Sequence, residues 1–278
     1  TEDVTFTVAA NGTNLSYQWY KADSSNGSGV AIDGADTATL RIAKEDVVKN
    51  LDGTYYYCNV SNTTGTVSST RAKLTVYYEP EITAQPENKT VTALESVTFE
   101  VTAQNGNPSA TTYKWQVSEN DGNTWTTVGT GTSYTIDEVT YSMNGNQYRV
   151  LVGNSEYVDG VTSNVATLKI NKAAGSVTLD ATTGSIAYPN TTSFNVTTNK
   201  SGGTLTVSSS NTAVATASVS GTKVTVTSGT TAGTATITVT SGATSNYNEA
   251  SATYTVTVSN GTLSVSASNY SGTYDAAA

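Results

Sequence analysis

The segment Leu51–Val60, LDGTYYYCNV, is the most informative stretch for the fold, because it places three tyrosines beside the only cysteine among 278 residues. Successive side chains of a β-strand point to opposite faces of the sheet, so Tyr56 and Cys58 share one face. A single cysteine cannot form a disulfide within the chain. We therefore predict that Cys58 is a small apolar core residue, with a reactive thiol as the alternative.

The residues around this segment belong to a pattern that occurs twice in the chain, which indicates an internal repeat. Each copy opens with an alternating apolar run, and these runs are Val4, Phe6 and Val8 in the first copy and Val97, Phe99 and Val101 in the second. Matching inward residues follow later in each copy: Trp19, Tyr56 and Cys58 in the first, and Trp115, Tyr148 and Val150 in the second. The alternation predicts strands with one buried face, and these six later residues as structural core.

This order of an apolar strand, a tryptophan and a Gly-x-x-Tyr-x-Cys or Val segment resembles the immunoglobulin superfamily over residues 1–171. The resemblance implies an all-β fold of tandem immunoglobulin-like β-sandwiches in an extended array. Family members have a disulfide from the Cys58 position to an earlier strand. Val8 stands at that earlier position here, so the resemblance implies a sandwich without its bridge.

Residues 172–259 have a different pattern, with long runs in which threonine alternates with apolar residues, such as Gly233–Thr240, GTATITVT. Together with Ser209–Thr216, SSNTAVAT, this run resembles bacterial immunoglobulin-like domains of group 2, which are common in surface proteins of bacteria. The segment Asn246–Ala250 departs from that pattern as an insertion before the last strand.

The repeats predict four segments along the chain: residues 1–77, 78–171, 172–259 and 260–278. The second unit has a leading segment, Ile82–Val91, with no counterpart before Val4, so the first unit is predicted to lack its first strand or to receive it from elsewhere. Residues 260–278 begin a new alternating pattern and are interpreted as the start of a truncated fourth repeat. Short joints are expected near Tyr77–Pro80 and Asn171–Ala174, which favours an extended rod.

Charge and composition exclude several classes of function. The net charge of −9 repels nucleic acid and anionic membranes, so neither is an expected partner, and no apolar run is long enough to insert in a membrane. The absence of histidine removes the commonest general base and metal ligand. Candidate carboxylates at Glu45, Asp46 and Asp52 fit turn and capping roles. No catalytic residue, metal or cofactor is therefore predicted.

The segment Ser118–Trp125, SENDGNTW, approaches the Asp-box pattern of sialidases, in which the motif forms a hairpin turn far from catalysis. We interpret it as a glycine-containing hairpin with Trp125 covering the edge of the core. A calcium loop built on Glu119, Asn120 and Asp121 is the alternative.

Strand parity points several side chains to the outer face of the first unit. The resemblance to the immunoglobulin superfamily implies that their two strands are neighbours in one sheet, and so predicts that these side chains form a candidate ligand-binding patch. Its five residues are Tyr20, Tyr55, Tyr57, Gln18 and Asn59. Tyrosines supply rigid contact area with a polar tip, which suits recognition of proteins or sugars. The alternative is that these aromatic side chains pair across the strands and stabilise the sheet without any ligand. The matching outward positions of the second unit are mostly polar: Lys114, Gln116, Gln147, Arg149 and Leu151.

The resemblance implies a non-enzymatic, extracellular segment of a bacterial surface protein, either wall-bound or secreted, that serves as an adhesin or a stalk. The expected partners are a host protein or glycan and neighbouring domains of a longer chain. Two alternatives remain open. One is a module that binds a host glycoprotein, immunoglobulin or glycan directly through the first unit, and the other is an accessory region of a large secreted carbohydrate-active enzyme.

Overall fold

The computed structural model describes residues 2–200, 202–262, 265–269 and 271–272. Its contacts divide the chain into two compact units. The first unit comprises Thr1–Lys89, Thr98–Ile136 and Gly145–Leu168. The second unit comprises Thr90–Val97, Asp137–Asn144 and Lys169–Ala278. The strands form sheets that fall into three separate groups along the chain, and each group is described by its own hydrogen bonding. The predicted all-β class is confirmed.

The first sandwich is formed by residues 4–73. Its strands are β1 Val4–Thr7, β2 Ser16–Ala22, β3 Val30–Ala31, β4 Thr39–Ile42, β5 Tyr55–Asn62, β6 Gly65–Ser68 and β7 Ala72–Lys73, and its two 3-10 turns are Lys44–Asp46 and Lys49–Leu51. One sheet pairs β1 with β4, and the other has the order β3-β2-β5-β6, with β7 also on β5. Burial alternates along β1 and β5, because every second side chain of each strand points into the core between the two sheets.

The second sandwich repeats this arrangement with additional strands. They are β8 Glu81–Ala84, β9 Lys89–Thr92, β10 Val97–Glu100, β11 Thr102–Gln104, β12 Thr112–Ser118, β13 Thr126–Thr130, β14 Ser133–Ile136, β15 Gln147–Gly153, β16 Val161–Thr162 and β17 Ala166–Asn171, with a 3-10 turn at Tyr141–Met143. The large sheet has the order β13-β12-β15-β17-β9, β16 joins β15, and the pairs β8-β11 and β10-β14 complete the fold. The first sandwich has no described strand that corresponds to β8 or β9.

The third sandwich has two four-stranded sheets. Its strands are β18 Val177–Leu179, β19 Thr183–Ala187, β20 Thr191–Thr198, β21 Leu205–Ser209, β22 Ala215–Ser220, β23 Lys223–Ser228, β24 Gly233–Ser241 and β25 Ala250–Ser259. The sheet orders are β18-β20-β23-β22 and β19-β25-β24-β21, with β19 parallel to β25. The core is a continuous apolar cluster in which Phe194 stacks on Tyr254 with ring centroids 4.4 Å apart.

The strand groups lie within the ranges 1–77, 78–171 and 172–259, whose boundaries stay a prediction. The truncated fourth repeat at 260–278 falls partly outside the described residues. Residues 265–269, which are described, form no strand.

Candidate functional site

The outer face of the first sandwich is built on the antiparallel pair β2 and β5. The register places Gln18 opposite Asn59, Trp19 opposite Cys58, and Tyr20 opposite Tyr57. Directly opposite residues of adjacent strands project to the same side of a sheet. The predicted patch residues of β2 and β5 therefore lie side by side, on the face opposite to the core.

The inward residues of the same strands are buried together. These residues are Trp19, Tyr56 and Cys58 in the first sandwich, and Trp115, Tyr148 and Val150 in the second. The Trp19 indole donates a 2.9 Å hydrogen bond to the carbonyl oxygen of Thr37. Burial raises the pKa of the Cys58 thiol above its ordinary value. The thiol therefore stays protonated at neutral pH, which disfavours the reactive-thiol alternative.

Tyr20 and Tyr57 form a stacked pair at the centre of the patch. Their ring centroids are 5.1 Å apart and their planes differ by 11°. The guanidinium carbon of Arg71 lies 4.4 Å from the centroid of the Tyr57 ring, and Arg71 also donates a hydrogen bond to the carbonyl oxygen of Ser24. A cation over an aromatic face is attracted by the ring quadrupole. The stack is thus fixed by contacts within the sandwich.

The loop between β2 and β3 approaches the same tyrosine. A Cβ atom added to Gly29 would lie 2.5 Å from the Tyr57 hydroxyl oxygen and 2.7 Å from the ring, so any larger residue there would have to displace the Tyr57 side chain. Tyr57 is half-buried, and so are the other four residues of the patch. The patch presents ring edges and hydroxyl groups rather than fully open ring faces.

The two amide side chains of the patch are used in hydrogen bonds within the sandwich. The Gln18 side-chain amide donates to the carbonyl oxygens of Trp19 and Ile32, and the Asn59 side-chain oxygen accepts from Ser68. These contacts hold the amides in fixed positions beside the tyrosines.

The corresponding face of the second sandwich is built from different side chains. Arg149 stands where the first sandwich has Tyr57, donates to the Gln116 side-chain oxygen at 2.9 Å, and places its guanidinium carbon 4.1 Å from the Trp125 ring centroid. Because Arg149 is outward by strand parity, Trp125 lies on the outer face. The interpretation that Trp125 covers the edge of the core was wrong, since parity does not predict where a loop side chain folds.

The Ser118–Trp125 segment forms the expected hairpin turn between β12 and β13. The side-chain oxygen of Asn120 accepts from the Thr124 amide at 2.9 Å, and the Ser118 hydroxyl accepts from the Gly122 amide at 2.9 Å. These oxygens are used to stabilise the turn itself. Among the described residues, no group of three or more acidic or cysteine side chains is arranged to hold a metal ion.

The joint between the first and second sandwiches is tied by main-chain pairing. Tyr78 and Asn107 exchange two hydrogen bonds of 3.1 and 3.0 Å, and the buried Asn154 side chain donates to the carbonyl oxygen of Tyr78. Gly106 lies so close to Tyr78 that an added Cβ would be 2.4 Å from its carbonyl oxygen. The joint residues therefore share a hydrogen-bond network with loops of the second sandwich.

The joint before the third sandwich is paired in the same manner. The Ala173 amide donates to the Asn246 carbonyl oxygen at 2.8 Å, and the Asn248 amide donates back to Ala173 at 2.9 Å. The side-chain oxygen of Asn246 also accepts from the Tyr141 amide at 2.9 Å. The Asn246–Ala250 insertion thus provides the main-chain hydrogen-bond partners of Ala173 in this joint.

Residues 79–154 match the family model described as an immunoglobulin domain. The matched residues lie within the second sandwich. No curated protein sequence matches it significantly.

Solved structures that are similar to the chain include an I-band fragment of titin, with 15% identity, 94% of this chain and 93% of that chain covered, and a TM-score of 0.45. A complex of Dpr and DIP-Theta immunoglobulin domains matches with 14% identity, coverage of 92% and 94%, and a TM-score of 0.43. The Sidekick-1 immunoglobulin domains match with 16% identity, coverage of 93% and 56%, and a TM-score of 0.36. In the described part of the chain, no helix is long and apolar enough to cross a membrane.

Proposed function

We propose that the chain is a non-enzymatic segment of an extracellular bacterial surface protein, an adhesin or a stalk, that holds a surface for a host protein or glycan. The observation that supports this proposal is the hydrogen bonding of both joints, at Tyr78 with Asn107 and at Ala173 with Asn246. A spacer must resist bending where its domains meet, and short joints with paired main chains restrict bending more than free linkers do.

The stalk proposal predicts slow amide exchange at the first joint. Asn154→Asp keeps the oxygen that accepts the amides of Glu156 and Tyr157, but loses the amide group that donates to the carbonyl oxygens of Tyr78 and Pro108. We expect exchange of the Tyr78 and Asn107 amides to rise about tenfold, the effect of losing about 1.4 kcal/mol. Hydrogen-exchange mass spectrometry of the joint peptides measures this.

The matched control is Tyr157→Phe, which removes only the long 3.3 Å hydroxyl contact with the carbonyl oxygen of Tyr77. This variant should change the amide exchange rates of Tyr78 and Asn107 less than threefold, since a surface hydrogen bond contributes little to stability. Exchange at the rate of a free peptide in the unmodified chain would contradict a stiff joint, and the stalk proposal with it.

The second candidate function is direct ligand binding by the outer face of the first sandwich. The observation that favours it is the Tyr20–Tyr57 stack, held by Arg71 and the Gly29 loop, at positions where the second sandwich has Gln116 and Arg149. Aromatic side chains that are already immobile lose little entropy on binding. Stacked phenols beside fixed amides therefore suit a ligand that presents hydroxyl or amide groups, such as a glycan or a protein loop.

This candidate predicts that the double variant Tyr20→Ala/Tyr57→Ala loses binding. On an array of host glycoproteins, immunoglobulins and glycans, affinity should fall at least tenfold, because aromatic anchors each contribute about 1 kcal/mol or more. The matched control, Gln116→Ala/Arg149→Ala in the second sandwich, should bind as before. Circular dichroism checks that both variants fold. An unmodified chain that binds nothing on the array, or equal affinities of the two variants, would refute this candidate.

A further inference from the structure

The outer face of the first sandwich carries two cationic side chains beside the tyrosine stack. The guanidinium carbon of Arg71 lies 4.4 Å from the centroid of the Tyr57 ring. Lys73 is exposed and lies directly opposite Tyr55 in the pairing of β7 with β5, so it projects to the same side of the sheet. Within the described part of the chain, neither cation forms an ion pair with a carboxylate. The patch therefore has positive charge that an anionic ligand can use.

Most of the hydrogen-bonding capacity of Arg71 is unused. A guanidinium group has several N–H donors, and among the described residues Arg71 donates one hydrogen bond, to the carbonyl oxygen of Ser24 at 3.1 Å. Asp23, the acidic residue next to Ser24, makes no ion pair with it. The contact with Tyr57 and the bond to Ser24 hold the guanidinium in place, so it loses little freedom when a ligand binds. A fixed planar guanidinium with unused donors matches the two oxygens of a carboxylate.

The groups around Arg71 favour a sugar over a peptide as the carrier of that carboxylate. The hydroxyl groups of Tyr20, Tyr55 and Tyr57 form no hydrogen bond with any described residue, since the side-chain bonds of this face come from other groups. A phenol hydroxyl can both donate and accept, which suits the hydroxyl groups of a saccharide. The strands β2 and β5 are interior strands that pair with each other along the whole patch. An extended peptide therefore cannot join the sheet there as an added strand.

We propose, on the basis of the ligand binding proposed above for the first sandwich, that this face binds a glycan that carries a carboxylate, of the sialic or uronic acid class. Arg71 pairs with the carboxylate, Lys73 adds a second positive charge, and the phenol hydroxyls bind hydroxyl groups of the sugar. Charge-assisted hydrogen bonds of this kind are stronger than neutral ones. The net charge of −9 does not prevent binding, because physiological salt screens exposed charges beyond about 8 Å.

Isothermal titration calorimetry of the full chain with two acidic probes, sialyllactose and a hyaluronan hexasaccharide, tests this proposal. We expect at least one probe to bind, and its methyl ester to bind about tenfold more weakly, because esterification removes the charge and keeps the sugar. Added salt should weaken binding of the acid, since salt screens exposed charges. The two probes distinguish a sialic acid ligand from a uronic acid ligand.

Variants of the two cations provide the second arm. Arg71→Gln should weaken binding of the acidic probe about tenfold, because it removes the charged donors that face the carboxylate. Lys73→Gln should weaken it about threefold, as expected for an exposed charge. The matched control is Arg149→Gln, which removes an arginine that also lies over an aromatic ring, that of Trp125, but belongs to the second sandwich. This control should bind the probe as the unmodified chain does, and circular dichroism checks that all variants fold.

Several results would overturn the proposal. They are the absence of binding by both acids, equal affinity for an acid and its methyl ester, and equal losses in Arg71→Gln and Arg149→Gln. A glutamate hexapeptide that binds more tightly than both acids would replace the glycan with an acidic peptide. If a neutral ligand on the array binds through Tyr20 and Tyr57 while both acids fail, ligand binding by the first sandwich stands and the carboxylate-bearing ligand alone is refuted.

Discussion

Replacing Trp115 with alanine is expected to destabilise the second sandwich by about 3–5 kcal/mol, the range for a large aromatic removed from a core. Trp115 is 0% exposed, with its ring centroid 6.4 Å from that of Phe99 and 6.4 Å from that of Tyr134. Its indole also donates a 3.0 Å hydrogen bond to the carbonyl oxygen of Gly131. Alanine loses the packing and the donor together and leaves a cavity between two sheets that relax only in part.

The first sandwich offers a matched comparison for this prediction. Trp19 occupies the same position and is 3% exposed, but it lies at the wall of an open groove of about 880 Å³ between residues 6–11 and residues 60–72. Water can enter there, so Trp19→Ala should cost less, about 2–3 kcal/mol. Domain-resolved hydrogen exchange is the suitable measurement, because a chain of several domains need not unfold in one step. Equal costs in the two sandwiches would show that the groove does not open to the core.

The strand faces were predictable because parity is a local property of the chain. Alternation alone placed Trp19 and Cys58 inward and Tyr20 and Tyr57 outward, and the register of β2 with β5 brings these residues opposite each other. The resemblance to immunoglobulin domains added that the two strands are neighbours. These inferences need only the two-residue period of a strand and a known order of strands.

The covering of the patch was not predictable, because it depends on residues far apart in the sequence. Arg71 reaches Tyr57 from the start of β7, and the loop that contains Gly29 approaches from the other side. Nothing in the alternating pattern specifies where a loop or a long cation folds. The expected open aromatic face is for this reason a half-buried stack. Trp125 is a second case, since its loop carries it to the outer face against Arg149.

The hydrogen-bond partner of the Asn246–Ala250 insertion could not be predicted from the sequence either. The residue that holds the chain leading into this insertion is Lys200, which follows β20 and is 6% exposed. Its ammonium group donates to the carbonyl oxygens of Ser241, Gly242 and Asn248 at 2.6, 3.1 and 3.0 Å. An isolated lysine in a polar loop gives no periodic signal, and so no pattern distinguished it from a solvated side chain.

Lys200→Met is accordingly expected to destabilise the third sandwich by about 2–4 kcal/mol, since methionine fills a similar volume but leaves three carbonyl oxygens without their donor. Exchange should rise most in peptides that cover residues 241–249, which lose their attachment to the end of β20. Lys223→Met is the matched control, because Lys223 is exposed on β23 and its loss should change stability by less than about 0.5 kcal/mol. Urea unfolding followed by hydrogen exchange compares the two variants. If they unfold at the same urea concentration, water replaces the ammonium group at no cost, and the contacts of the insertion with Ala173 and Tyr141 hold it without Lys200.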